Sequence, residues 1–376
     1  MVYLDYAASC PVLPEAADAV NACMRRVFAN PSSPYAAADE ARRILNGARR
    51  ELAASVSAES DEIVFTSGGT ESNNLALFGV CRAQPQKKHL IVGATEHHSV
   101  LLAAKALEKE GFWVTFLPCG ADGTIDPASL ERAVRPETAL ISVQYANNET
   151  GVIQPVRQIG ILARKYRVPF HCDAVSAYGH IPIDARCACI DLLSVSAHKF
   201  GGPVGTGFLY IRNGTPFVPL FFGGSQEFSR RPGTENVPAI AGFRKAAELS
   251  AACSGRADEP FLRDRLQEIL TAGLPEARVN GKSAARLPNC LSVTIPGAPN
   301  EKMLYLLEQK GVCASARAAC ATRERAPSHV LAAMGLTEEE ANCTLRLSTE
   351  KLSTLSKIEY AADVIVKAAR NVKSVL

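Results

Sequence analysis

Short apolar runs that end in turn residues alternate with helical patterns from residue 62 to residue 211. Residues 62–66 are typical of a strand, and the helical pattern of 71–81 follows after a turn with two glycines. The same order continues downstream, with strand patterns at 90–92, 112–117, 140–143, 168–172, 192–195 and 207–211 and helical patterns at 99–110 and 159–166. Strands joined by helices favour a mostly parallel sheet flanked by helices, an α/β fold. Periodicity alone leaves open which α/β fold it is.

The pattern changes at about residue 253. Helical patterns at 257–270, 301–310 and 358–372 now enclose strand patterns at 290–295 and 344–348. A chain of 376 residues also exceeds one ordinary core. We therefore predict a large domain at 16–252 and a smaller α+β domain at 253–376, to which residues 1–15 belong.

Positive and negative charges nearly balance. The sequence has 41 basic and 38 acidic side chains, and its formal net charge is +3. Because no dense basic run stands out, we expect no nucleic-acid partner. No apolar run approaches the ~18 residues that span a bilayer. Residues 1–6 also lack a basic and then apolar leader pattern, so we expect no membrane contact and a cytoplasmic location.

The chain contains twelve cysteines. In a large chain without a leader, reduced thiols are a better interpretation than a disulfide framework. Cys187 and Cys189 are too close in sequence for a typical zinc half-site, and no second pair complements them. We expect no metal site.

Lys199 follows an apolar strand and precedes two glycines. A lysine on a tight loop at a buried strand end loses hydration, which favours the free amine that Schiff-base chemistry needs. The simpler interpretation is a solvated loop lysine.

Two further segments place chemistry at strand ends. Asp173 ends the run 168–173, where its carboxylate could keep a pyridinium nitrogen protonated; otherwise it is an ordinary helix cap. The turn that contains Gly69 and Thr70 leads into a helix, whose first N–H groups favour a phosphate. Taken alone, it is a plain strand–turn–helix.

These segments together resemble the cysteine desulfurases, the NifS/IscS group of pyridoxal-phosphate (PLP) enzymes of fold type I. The resemblance extends from YLDYAA at 3–8 to LRLS at 345–348, and its motifs occur in the family's order. They are TSGGTES at 66–72, TEH at 95–97, NNETG at 147–151, HCDA at 171–174, SAHK at 196–199 and RPGT at 231–234.

The resemblance implies a role for each matched residue. Lys199 would carry the cofactor as a Schiff base and remove the Cα proton of the substrate. Asp173 would pair with the pyridinium nitrogen, and His97 would stack on the ring and help to move protons. The phosphate would be bound by Gly69, Thr70, Ser196, His198 and, in the neighbouring subunit of a homodimer, Thr234. For His97 a helix cap is the alternative.

The substrate side follows from the same resemblance. Arg346 would hold the carboxylate of L-cysteine, unless it faces solvent from an edge strand, and Asn148 would lie near the ring hydroxyl or the substrate. Cys320, seven residues before the segment PS at 327–328, would receive the sulfur as a persulfide. Cys313 is the alternative nucleophile, but it falls in a strand pattern, whereas a nucleophile needs an exposed loop. Alanine would be the product.

The implied function is supply of sulfur to an acceptor protein, either an iron–sulfur scaffold or an enzyme of thio-cofactor or tRNA synthesis. A selenocysteine lyase and a non-catalytic assembly partner are the alternatives. The chain departs from the family pattern where Ser176 replaces a glutamine that reaches the cofactor ring. Arg317 replaces a glycine near Cys320, Tyr35 replaces a histidine, and the tail after the last helical pattern is short.

Overall fold

The computed structural model describes residues 1–251, 258–316, 327–350 and 352–375. The strands of these segments are β1 (Val2–Tyr3), β2 (Ile63–Thr66), β3 (His89–Gly93), β4 (Trp113–Leu117), β5 (Thr138–Ser142), β6 (Phe170–Asp173), β7 (Leu192–Ser196), β8 (Gly207–Ile211), β9 (Arg278–Val279), β10 (Cys290–Thr294), β11 (Val312–Cys313) and β12 (Thr344–Ser348). The helices are α1 (Pro14–Arg26), α2 (Asp39–Ala54), α3 (Gly69–Ala83), α4 (His98–Lys109), α5 (Pro127–Ala133), α6 (Val156–Lys165), α7 (Val237–Ala251), α8 (Asp258–Gly273), α9 (Asn300–Gln309), α10 (His329–Ala333), α11 (Glu338–Asn342) and α12 (Leu355–Val375).

The main sheet has the strand order β2-β8-β7-β6-β5-β3-β4 within the described segments. Neighbours from β7 through β4 run parallel, as predicted, and only β8 runs antiparallel to both of its partners. The reversal at β8 follows from the short link between β7 and β8, since a parallel crossover needs about a dozen residues or more. The predicted α/β class is confirmed.

The central strands of the main sheet are buried on both faces. Every residue of β3, β5 and β7 is buried, and apolar clusters lie on either side of the sheet. Central strands between two helical layers need such continuous apolar runs. The long helices α1, α2 and α7, which the sequence patterns did not single out, contribute to the packing on one side, where α1 and α2 both contact α7.

A second apolar core surrounds the small antiparallel sheet β12-β10-β9. It gathers residues of α8, α9 and α12 with Val2 and Leu4 from the N-terminus. Val2 and Tyr3 of β1 pair in parallel with Val312 and Cys313 of β11. The first residues of the chain therefore pack with its last third. The boundaries at 16 and 252 stay a prediction.

The parallel strands direct their carboxyl ends to one edge of the main sheet. Asp173 is the last residue of β6, and Ser196 is the last residue of β7. Loops that follow such strand ends form the usual ligand site of open α/β sheets. Among the described residues, no helix combines the length and the apolar character needed to cross a membrane.

Candidate active site

A cavity of about 250 Å³ opens at this edge of the main sheet. It brings together most of the residues that the sequence predicts for the site. Its lining consists of Ala7, Ala8, Gly69, Thr70, Asn73, His97, Ser99, Gln144, Ala146, Asn148, Asp173, Val175, Ser176, Ser196, His198, Lys199 and Arg346. Thr234 is not in this lining and is exposed on the same chain. Cys320 lies outside the described residues.

The N-terminus of α3 forms one end of the cavity. Gly68 has φ +141°, a conformation that side chains disfavour, and it lets the chain turn sharply from β2 into the helix. A Cβ atom on Gly69 would lie 2.6 Å from Cγ2 of Val175, so the backbone approaches closely here. The first N–H groups of α3 have no partners within the helix and suit a phosphate.

Ser196 and His198 reach the cavity from the end of β7. Burial lowers the pKa of His198 to about 4, and the neighbouring charge of Lys199 acts in the same direction. The His198 ring is therefore neutral at physiological pH, and its Nδ1 lies 3.2 Å from Oγ of Ser9. A neutral imidazole has one N–H to donate to an anion.

Lys199 ends the short 3₁₀ turn that follows β7. Its Nζ donates hydrogen bonds to the carbonyl oxygens of Ala7 at 2.7 Å and Ala8 at 3.1 Å. The N-terminal segment is held against the same turn, because the N–H of Cys10 donates to the carbonyl of His198 at 2.9 Å. The side chain thus lies in the cavity and not in solvent.

Asp173 is buried and accepts two hydrogen bonds. Its Oδ1 accepts from the N–H of Val175 at 2.9 Å, and its Oδ2 accepts from Nδ2 of Asn73 at 2.7 Å. Sequence reasoning did not identify Asn73. A signal was present, because Asn73 follows Thr70 by three residues and therefore shares its face of α3.

His97 both caps α4 and lines the cavity. Its Nδ1 accepts from the N–H of Ser99 at 3.1 Å and lies 2.8 Å from the Ser99 hydroxyl. Burial lowers the pKa of His97, and the Lys199 charge also lowers it, while Asp173 opposes the shift. The helix cap that the sequence left as an alternative for His97 is therefore present, and the same side chain lines the cavity; its stacking on a cofactor ring stays a prediction.

Arg346 lies on β12 and is 2% exposed, so it does not face solvent. Its Nη2 is 2.7 Å from Oδ1 of Asp5, and its Nη1 donates to the carbonyl of Asn148 at 3.1 Å. A buried guanidinium beside a cavity is suited to bind a carboxylate. The sequence did not predict Asp5 as a residue of the site.

Ser176 lines the cavity and also a smaller one of about 20 Å³ next to Lys199. The smaller cavity is bordered by Asn289 and His180, and Oδ1 of Asn289 is buried without a partner in the described part of the chain. The short serine side chain leaves this space, which has about the volume of one water molecule.

Residues 2–360 match the aminotransferase class-V family. The chain belongs to this family. It is 43% identical to a cysteine desulfurase IscS of Methanosarcina thermophila over 99% of this chain and 93% of that protein. A solved structure of a NifS-like protein superposes with a TM-score of 0.91 at 33% identity, covering 98% of this chain and 99% of that one. Another solved structure, of SspA in complex with cysteine, superposes with a TM-score of 0.84 at 35% identity and covers 94% of this chain and 100% of that one.

These similarities confirm the predicted family, fold type and enzyme class within the class-V aminotransferases. They also confirm the predicted cofactor, since the family is PLP-dependent. The cavity fits that group chemically. It offers a helix N-terminus with a glycine cradle for the phosphate, a carboxylate for a ring nitrogen and a lysine amine for the aldehyde.

Proposed function

We propose that this protein is a cysteine desulfurase, which converts L-cysteine to L-alanine and passes the sulfur to Cys320 as a persulfide. The observation that supports this best is that Lys199, Asp173 and Arg346 line one cavity. It combines an amine for the cofactor, an acid for its ring and a cation for the substrate carboxylate. The structurally similar SspA, solved in complex with cysteine, supports L-cysteine as the substrate.

When bound, PLP supplies an electron sink for negative charge at Cα of the substrate. Asp173 would maintain the positive charge of the ring nitrogen, and its own orientation is set by Asn73 and the N–H of Val175. Gly69, Thr70, Ser196 and His198 would hold the phosphate.

Lys199 would be the base that removes the proton from Cα of the substrate. Arg346 holds the substrate carboxylate, with Asn148 beside it. The thiolate of Cys320 then attacks the substrate sulfur, so that the Cβ–S bond breaks and an S–S bond forms on the enzyme. The three-carbon fragment takes up one proton at Cβ, equivalent to the proton lost by the Cys320 thiol, and one at Cα, which Lys199 returns, and it leaves as alanine.

The persulfide would pass to an acceptor protein for iron–sulfur cluster or thio-cofactor and tRNA synthesis. We propose a cytoplasmic location, because the described cysteines form no disulfides with one another and suit a reducing compartment.

We also propose a homodimer in which Thr234 serves the cofactor of the partner. In support, Thr234 is exposed on its own chain, and large apolar side chains are exposed at Phe28, Phe221 and Phe222. Sedimentation at assay concentration tests the dimer, and a fully active monomer would exclude it.

Two variants test the function itself. Lys199→Ala should lose both the yellow, covalently held cofactor and alanine formation. Cys320→Ser should keep the cofactor absorbance but lose sulfide release from cysteine, because binding of the cofactor and transfer of sulfur use different residues. The matched control is Cys313→Ser, on β11, which should remain active.

Three outcomes would contradict the proposal. If borohydride reduction attached the pyridoxyl group to another lysine, the assignment of Lys199 would be wrong. If Cys313→Ser and not Cys320→Ser lost activity, the nucleophile would be Cys313. Full activity of Cys320→Ser on selenocysteine, with none on cysteine in the unaltered protein, would indicate a selenocysteine lyase.

A further inference from the structure

Two side chains that the sequence did not predict for the site, Asn73 and Ser99, connect Asp173 to His97. Nδ2 of Asn73 donates to Oδ2 of Asp173 at 2.7 Å and to Oγ of Ser99 at 2.8 Å. Oγ of Ser99 in turn lies 2.8 Å from Nδ1 of His97. The residue proposed to pair with the ring nitrogen is thus linked to the residue proposed to stack on the ring.

The direction of each hydrogen bond in this chain follows from chemistry. A carboxylate only accepts, so the Asn73 amide must turn its nitrogen towards Asp173. The second hydrogen of that nitrogen occupies a lone pair of the Ser99 hydroxyl. The hydroxyl hydrogen of Ser99 is then directed at His97, whose Nδ1 must accept it.

The backbone of α4 imposes the same requirement on His97. The N–H of Ser99 donates to Nδ1 at 3.1 Å, and an N–H group has no lone pair with which to accept. A proton on Nδ1 would therefore oppose both the backbone N–H and the positive end of the helix dipole. Since burial also lowers the pKa of His97, the ring is neutral and carries its one proton on Nε2.

We propose that Ser99 and Asn73 are positioning residues that hold His97 in the Nε2–H tautomer, which makes His97 a hydrogen-bond donor from Nε2. The tautomer follows from the contacts alone, whereas its use on a cysteine-derived substrate rests on the proposed function. In the proposed desulfurase reaction, Nε2–H of His97 donates a hydrogen bond to an acceptor atom, and Lys199 removes the Cα proton.

Nitrogen NMR of the full-length protein with ¹⁵N-labelled histidine tests this proposal directly. Spectra are recorded with the cofactor bound and after its removal, and His97→Gln identifies the His97 signals. We expect Nδ1 to resonate as an unprotonated nitrogen and Nε2 as a protonated one in both forms. A dominant Nδ1–H signal in the unaltered protein would overturn the proposal.

Variants then separate the contributions of the two positioning residues. Ser99→Ala removes the hydroxyl donor but leaves the backbone N–H. The ratio of the Nε2–H to the Nδ1–H tautomer should therefore fall about two- to tenfold, which corresponds to the loss of one neutral hydrogen bond. Ser99→Thr keeps a hydroxyl and should restore the ratio. Ser129→Ala, in the first turn of α5, is the control and should leave the ratio unchanged.

Asn73→Asp examines the remaining link. A carboxylate at residue 73 would accept the Ser99 hydroxyl hydrogen and withdraw it from His97, so the ratio should fall as in Ser99→Ala. An unchanged ratio in Ser99→Ala or in Asn73→Asp would remove that residue from the proposal. A wrong tautomer with intact desulfurase activity would refute this inference alone, and the expected tautomer without activity would refute the proposed function alone.

Discussion

The guanidinium of Arg346 is paired with the carboxylate of Asp5, at 2.7 Å between Nη2 and Oδ1, across 341 positions of the sequence. The carbonyl of Asn148 takes a second N–H group. Nε is buried and has no partner in the described segments. Asp5 and Asn148 therefore fix the plane in which Arg346 would bind its substrate.

Replacement of Arg346 by lysine should weaken substrate binding. Lysine keeps the positive charge but loses the planar fork, so we expect KM for L-cysteine to rise about ten- to a hundredfold, with a smaller change in kcat. Steady-state alanine formation at varied cysteine concentration measures both constants. An unchanged KM would exclude Arg346 as the carboxylate ligand.

Loss of the negative charge at Asp5 should destabilise the fold. Asp5→Asn leaves the buried guanidinium uncompensated, and we expect the free energy of unfolding to fall by about 3 kcal/mol, the low end for a broken buried pair. The low end applies because the Asp5 side chain is 19% exposed. Urea unfolding measures the change. A loss of stability no larger than that of the surface variant Asp363→Asn would mean that the pair contributes little.

A longer side chain at position 176 should alter the absorbance titration of the bound cofactor. As the resemblance implies, a glutamine here would donate to the ring oxygen, draw negative charge from it and so weaken proton binding at the nitrogen that joins Lys199 to the cofactor. Ser176→Gln should therefore move the titration midpoint to lower pH, while Lys199 still holds PLP. The cavity of about 20 Å³ beside Ser176 helps to accommodate the added atoms.

Ser176→Ala is the matched control for that titration. It removes the hydroxyl without adding reach, so its midpoint should stay closer to that of the unaltered protein than the midpoint of Ser176→Gln. A midpoint that does not move, or moves to higher pH, in Ser176→Gln would mean that this side chain does not approach the ring oxygen.

A glycine at position 229 should stabilise the protein. Glu227, Phe228 and Ser229 have φ values of 48°, 59° and 61°, so three consecutive residues with side chains adopt the left-handed conformation. That conformation costs about 1–2 kcal/mol for each such residue, and part of the relief is offset by the greater freedom of glycine in the unfolded chain. We expect Ser229→Gly to add about 0.5–1 kcal/mol to the free energy of unfolding.

Urea unfolding provides the measurement, with Ser225→Gly in the same loop as the control. Ser225 does not have a positive φ, so its replacement should only lower stability. Destabilisation by Ser229→Gly as large as that by Ser225→Gly would show that the left-handed turn carries no strain.

Acid should weaken the fold through His171. The buried imidazole of His171 on β6 forms hydrogen bonds with the hydroxyl oxygens of Ser142, at 2.8 Å from Nδ1, and of Ser194, at 3.0 Å from Nε2. Burial lowers the pKa of His171 from 6.5 to about 3. Between these values the unfolded chain binds the extra proton, so stability is lost as the pH falls below 6.5. From pH 7.5 to pH 5.0 we expect the free energy of unfolding to drop by about 2 kcal/mol more than in His171→Asn. Equal drops would contradict this.

Much of the fold could be predicted because its elements carry local signals. The runs of β5, β6 and β7 are apolar and bounded by turns, and each lies within a few residues of its predicted position. The direction of β8 depends on the length of its link, which periodicity does not report. The site residues Lys199 and Asp173 were predictable because each ends or follows a strand, and such positions meet at one edge of a parallel sheet.

The sequence by itself determined the family and the cofactor, and it predicted the residues proposed to carry the chemistry, because these depend on residue type within short motifs. Only the tertiary structure decided that Asp5 pairs with Arg346 and that Asn73 links Asp173 to Ser99. A hydrogen bond requires two atoms to meet within a few tenths of an ångström, in a suitable direction. For residues far apart in the chain, that distance is set by how strands and helices pack, and no local pattern of residues encodes it.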